Sequence, residues 1–266
     1  MQIVKSIPVG IASWAIFHKK HKALYLLVQI KNNSNGIFHK CHLEELFKQS
    51  GIKSRKTFDN KLLELQKIGW LSYNQNTEWF KILSFERILR LINCSLKRTI
   101  EISPDTTKKN FQSFLFAGVL SFEIKKTRYF YIRNKFGKKI AREKFMAFEF
   151  FDRDIKKYRR YIALSMGRMA KQLNISRQRA NILKCSADKN GFIECYEHKQ
   201  YLGTVTSDMC RYKHMLSYNG FVIFKKGRDK VIRAYRIMPD EINSNLRVKR
   251  KFSLTKGQDN ANLKNK

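Results

Sequence analysis

Acidic side chains are scarce in this sequence. Its 266 residues set 21 Asp and Glu against 55 Lys and Arg, a formal charge of +34 and an isoelectric point near 10.2. A surface so one-sided repels itself, and a compact state tolerates that best with a polyanion upon it. Nucleic acid therefore leads as the partner, with an anionic membrane second. A codon bias toward Lys, Asn and Ile would also enrich Asp and Glu, so composition alone explains the excess poorly.

A disulfide framework is missing too. Cys41, Cys94, Cys185, Cys195 and Cys210 are odd in number and dispersed, which suits reduced thiols in a cytoplasmic, DNA-associated protein. No apolar run approaches the eighteen or so residues of a membrane span, so no membrane partner is expected. The apolar stretch Ile7–Phe17 runs into His18, Lys19, Lys20, His21 and Lys22 without a small-x-small cleavage site, and reads as core rather than leader. Enzyme signatures are absent as well: there is no phosphate-cradling Gly loop, His-Glu-x-x-His, Gly-x-Ser-x-Gly or His-x-His. Asp152 and Asp154 read as a solvated pair in a charged segment, so neither catalysis nor a small-molecule substrate is expected.

What is present is ordinary globular material, 43% hydrophobic and 13% aromatic, enough for two modest domains or one large one. The most informative feature is an internal repeat. From Leu46 a short helix leads to Gly51, Ile52 and Ser54; from Met169 another leads to Asn174, Ile175 and Ser176. Each Ser is placed to cap a second helix. That helix ends at Gly69 in one copy and Gly191 in the other, the same distance on, and an aromatic-aliphatic pair follows: Trp70-Leu71 and Phe192-Ile193.

Phe58, Leu62 and Leu65 form the buried stripe of the first helix, and Ala180, Leu183 and Ala187 that of the second. The outward face of the first then carries Ser54, Arg55, Lys56, Thr57, Asn60 and Lys61. The second presents Ser176, Arg177, Gln178, Arg179, Asn181 and Lys184. Arg and Lys suit phosphate or guanine, and Asn and Gln suit adenine. The blander reading is a pair of helical hairpins with solvated charged faces; separately, helix-turn-helix units can serve as protein-protein modules, an alternative for the first unit.

These two segments resemble the winged helix-turn-helix superfamily, in which a capped recognition helix is followed by a β-hairpin wing. The first wing is expected as Leu71–Tyr73, a turn at Asn74–Thr77 and a return strand Trp79–Leu83. The second is expected as Ile193–Tyr196 and Tyr201–Leu202, and a strand pair Phe221–Phe224 and Val231–Ile237 is read as an extension of it. The resemblance places opening helices at Ala23–Ile30 and near Ile155–Leu164.

The rest of the chain is less specific. Phe111–Phe136 reads as a long amphipathic helix or helix pair. A basic edge of Lys125, Lys126, Arg128, Lys138 and Lys139, with Arg228 further on, is expected to face phosphates, and the interleaved aromatics to face the core. Cys195, His198, Cys210 and His214 have zinc-like local spacings but no knuckle, so no metal or other cofactor is expected. His39, Cys41 and His42 cluster at a helix start, where chance or capping suffices.

The sequence thus predicts an α+β, mainly α chain with winged-helix domains at 1–100 and 153–242. A helical basic connector occupies 101–152, and a mobile basic tail 243–266. The expected partner is double-stranded DNA, with a homodimer as a further possibility. Two such units in one chain resemble plasmid replication initiators. A transcriptional regulator and a charge-driven packaging, virion or RNA-binding protein are the alternatives.

Overall fold

The computed structural model describes residues 6–34, 36–96, 98–102, 106–150, 162–196, 199–206, 221–226, 231–237 and 241–249. The chain is α+β with helices dominating. It opens with β1 (Ser6–Pro8) and α1 (Val9–Phe17), then α2 (His21–Ser34), β2 (Ile37–His39), a 3-10 turn at Lys40–His42, α3 (Leu43–Gln49) and α4 (Arg55–Lys67). The strands β3 (Leu71–Asn74) and β4 (Trp79–Ile82) follow, then α5 (Phe85–Leu91) and β5 (Thr99–Glu101). The 3-10 turn is capped by His39, whose ring accepts from the Cys41 amide, which bears out the capping role. The first expected hairpin forms: β3 pairs antiparallel with β4, Leu71 opposite Ile82 and Asn74 opposite Trp79. The Asn74 side chain closes the turn by accepting from the amides of Asn76 and Thr77.

The second half repeats this order. It comprises α6 (Phe111–Phe150), β6 (Ile162–Ala163), α7 (Met166–Gln172), α8 (Arg177–Lys189), β7 (Ile193–Tyr196), β8 (Lys199–Val205), β9 (Phe221–Lys226), β10 (Ile232–Ile237), β11 (Glu241–Ser244) and β12 (Val248–Lys249). Both halves carry a three-stranded sheet of the same design. β4 lies between β2 and β3, and β11 lies between β6 and β7. The residue after the closing strand is even tied down alike, Leu83 N donating to Trp70 O (3.0 Å) and Asn245 N to Phe192 O (3.1 Å).

Two expectations for this half are revised. Of the opening helix expected near Ile155–Leu164, residues 155–161 lie outside the described residues and Ile162–Ala163 are strand β6; α6 and α7 are the helices packed on α8. The reason is composition: Phe114, Leu115, Phe116, Ala117, Val119, Leu120 and Ser121 are all buried, so this part of α6 is enclosed on every side, as a central helix must be. The second expected hairpin does not form, because β7 pairs with β11 and not with β8. β8, β10 and β9 make a separate antiparallel sheet inserted between β7 and β11. The expected pair Phe221–Phe224 and Val231–Ile237 thus belongs to the insertion.

One buried cluster runs through both halves. α1 packs against α6, and α6 against α8. β5 lies so close to α6 that a Cβ at Gly118 would stand 2.3 Å from the Ile100 side chain. A fourth sheet orders β1, β5 and β12, which joins residues 6–8 to residues 248–249. The tail expected to be mobile from Asn243 is therefore strand at β11 and β12. Its backbone groups are satisfied by β7 and β5, a long-range pairing that leaves no local pattern. Residues 250–266 lie outside the described residues.

Candidate nucleic-acid interface

Each repeat is a helix, a left-handed turn residue and a second helix. Gly51 (φ 65°) and Asn174 (φ 49°) supply the turns, conformations that Gly and Asn adopt most readily. Ser54 Oγ accepts from the Thr57 amide and Ser176 Oγ from the Arg179 amide. The two second helices stop identically. Gly69 N donates to Gln66 O and Trp70 N to Leu65 O, while Gly191 N donates to Asp188 O and Phe192 N to Ala187 O, all at 2.9 Å. This is the paired 5→2 and 6→1 closure that a glycine with positive φ permits.

Equal length aligns α4 with α8 position by position. Phe58, Leu62 and Leu65 are buried as expected, and so are Ala180, Leu183 and Ala187. Lys184 is a correction: it is 6% exposed, where its counterpart Leu62 is 7%. It stands on the buried stripe one turn after Ala180, so its four-carbon stem fills the place a Leu fills in the other half.

The remaining side chains sort by what holds them. In α4, Lys56, Thr57 and Asn60 are exposed. Arg55 is committed within the protein, donating to Asp59 at 3.0 Å and to Glu44. Lys61 donates to Glu64. In α8, Arg177, Gln178 and Asn181 are exposed, and Arg179 reaches Gln112 on α6. Sequence reasoning missed two apolar members of these outer faces, Leu63 (52% exposed) and Ile182 (49%). Leu63 lies nine residues past Ser54 and Ile182 six past Ser176, both off the buried stripe, and that spacing was the available signal. The outer stripe of α4 is thus Lys56, Asn60 and Leu63, and that of α8 is Gln178, Ile182 and Cys185.

A denser basic cluster lies beside α4, where sequence reasoning placed only Lys61. A cleft between the first turn of α2, α4 and the start of α6 is lined by His21, Lys22, Thr57, Lys61 and Lys108, over a floor that includes Tyr25 and Phe111. Burial, then the cations of Lys22, Arg179 and Lys61, push the His21 pKa down to about 4, with Glu64 opposing them. Burial disfavours a charged Glu64, yet hydrogen bonds from Lys20 (2.6 Å) and Lys61 hold its carboxyl below the usual range. Nothing in the sequence pairs residues 21, 61, 108 and 179; the packing of α6 does.

The expected basic edge is only partly of that kind. Lys126 is exposed, 3.6 Å from Glu123. Lys125 is turned inward, donating to Val248 O at 2.9 Å and so satisfying a carbonyl of β12. Lys138, Lys139 and Arg128 fall within α6, but their side chains lie outside what is described, as does Arg228 altogether. Of the zinc-like set only Cys195 is described, its amide held by Asp188 Oδ1 at 3.0 Å; His198, Cys210 and His214 lie outside the described residues, as do Asp152 and Asp154. Among the described residues no helix is long and apolar enough to cross a membrane, and no group of three or more His, Cys, Asp or Glu side chains is arranged for a metal ion. No protein-family model, curated protein or solved structure matches the chain.

Proposed function

We propose that both halves are winged helix-turn-helix units and that the chain binds double-stranded DNA without catalysing a reaction. One observation carries this reading: the same capped and stopped helix, beside a sheet of the same strand order, recurs twice in a chain of charge +34. Each copy presents residue types that meet phosphates and base edges. Lys56 and Asn60 do so from α4, and Arg177, Gln178 and Asn181 from α8. Leu63 and Ile182 add apolar surface of the kind that contacts a thymine methyl.

The two outer stripes differ, so a single chain reads an asymmetric site. Tandem copies of such a site favour a replication-initiator-like protein of a plasmid, phage or mobile element. A palindrome, read by a homodimer, favours a transcriptional regulator. Selection of duplexes from a random pool at stated salt tests the reading. The expected product is a two-part motif whose halves differ in sequence. Retention of all duplexes equally leaves only the charge-driven packaging, virion or RNA-binding role.

A further inference from the structure

We propose that the cleft between α2, α4 and the start of α6 is a phosphate-group site clamped by cations from both halves of the chain. Its walls bring Lys22 from α2, Lys61 from α4 and Lys108 from the segment before α6 around one opening. Arg179 of α8 is near enough to act on His21 electrostatically. Lys20 adds a fifth cation, and the acid bonded within this group is Glu64, shared by Lys20 and Lys61. Five cations against one carboxylate leave an excess of four positive charges.

Lys22, Lys61 and Arg179 all act on the one imidazole of His21, so these like charges crowd one another. Such crowding destabilises the folded state unless an anion occupies the space. The donors are available. Lys22 and Lys108 are exposed, and among the described residues Lys108 makes a long 3.5 Å contact to the Gly51 carbonyl and no other hydrogen bond. Thr57 contributes an exposed hydroxyl, and His21 lines the cleft with a buried Nδ1 that has no hydrogen-bond partner among the described residues. A phosphate group offsets part of that excess and offers several acceptors to these donors. The cations that line the cleft come from α2, α4 and the approach to α6, with Arg179 of α8 acting from beside Gln112. That the phosphate is one of a DNA backbone rests on the reading above; the site itself also accepts a free phosphate.

The experiment titrates inorganic pyrophosphate, and separately a duplex, into the full chain and two charge-matched variants. Lys22→Gln/Lys108→Gln removes the two exposed cations of the cleft, while Arg87→Gln/Arg90→Gln removes two exposed cations from α5. Pyrophosphate is expected to raise the melting temperature of the wild type and the α5 variant, but not of the cleft variant. It is also expected to move the His21 pKa, followed by NMR, upward from about 4 toward the ordinary value. If DNA supplies the phosphate, the cleft variant loses about tenfold in duplex affinity and about two units of salt slope. A pyrophosphate response without that loss supports the site with a free phosphate as its source. A pyrophosphate response in a chain that binds no duplex supports the site and refutes the DNA reading. No pyrophosphate response, an unmoved His21, or equal losses in both variants overturns the proposal, whatever the duplex does.

Discussion

The two halves reach the same sheet by different routes. In the first, β3 turns at residues 75–78 and returns as β4, so the hairpin is local. In the second, β7 ends at Tyr196 and its partner β11 begins at Glu241, after an inserted three-stranded sheet. The strand order is retained although the connection is not, so the interior of the sheet, and not the turn, specifies the architecture. The helix pairs differ in the same spirit. α4 packs with Phe58, whereas α8 has Ala180 at that position, and the small residues let α6 lie directly against it.

The largest effect tests whether the halves are one structure. Phe58→Ala is expected to cost about 3–5 kcal/mol and Leu183→Ala about 2–5 kcal/mol, by loss of buried area and cavity formation. Because one core joins them, each variant should shift a single denaturant transition seen by both fluorescence and circular dichroism. Two separate transitions would break that continuity and make the halves independent domains.

A smaller effect probes where the halves agree. Ser54→Ala and Ser176→Ala remove the same cap from helices of the same length, so each is expected to cost about 1 kcal/mol. Thermal melts of the two variants should shift alike. A difference above about twofold would mean that one cap is supported by tertiary contacts the other lacks.

The smallest effect separates them again, since the first half alone has His21 at this junction. Its folded pKa of about 4 lies below the ordinary 6.5, so between those values the unfolded chain binds more protons. The stabilisation is complete above pH 6.5 and is lost as the pH falls toward 4. His21→Gln should flatten that part of the stability-pH curve. An unchanged slope would contradict the burial and cationic surroundings assigned to His21.

These contrasts also mark what a sequence can disclose. The caps at Ser54 and Ser176, the stops at Gly69 and Gly191, the turns at Gly51 and Asn174 and the first hairpin are all dictated within a few residues, and all were legible. The partner of β7 was not, because residues 241–244 lie beyond an insertion and carry no turn signal linking them to 193–196. Lys184 was misplaced because charge was weighted above its position on the buried stripe. The tail looked mobile because Val248–Lys249 gains its order only from β5. For the candidate interface, exposed residues such as Lys56, Asn60, Gln178 and Asn181 followed from periodicity. The cation cluster around His21 exists only through α6, so no local pattern announces it.

The most direct test of the account repeats the duplex selection with Lys56→Ala/Asn60→Ala and with Gln178→Ala/Asn181→Ala. Each pair is expected to erase preference in a different part of the selected motif, leave the other part intact, and reduce affinity for random duplex far less. A motif that survives both pairs unchanged, or variants that lose specific and random duplex equally, would contradict the claim that α4 and α8 read DNA.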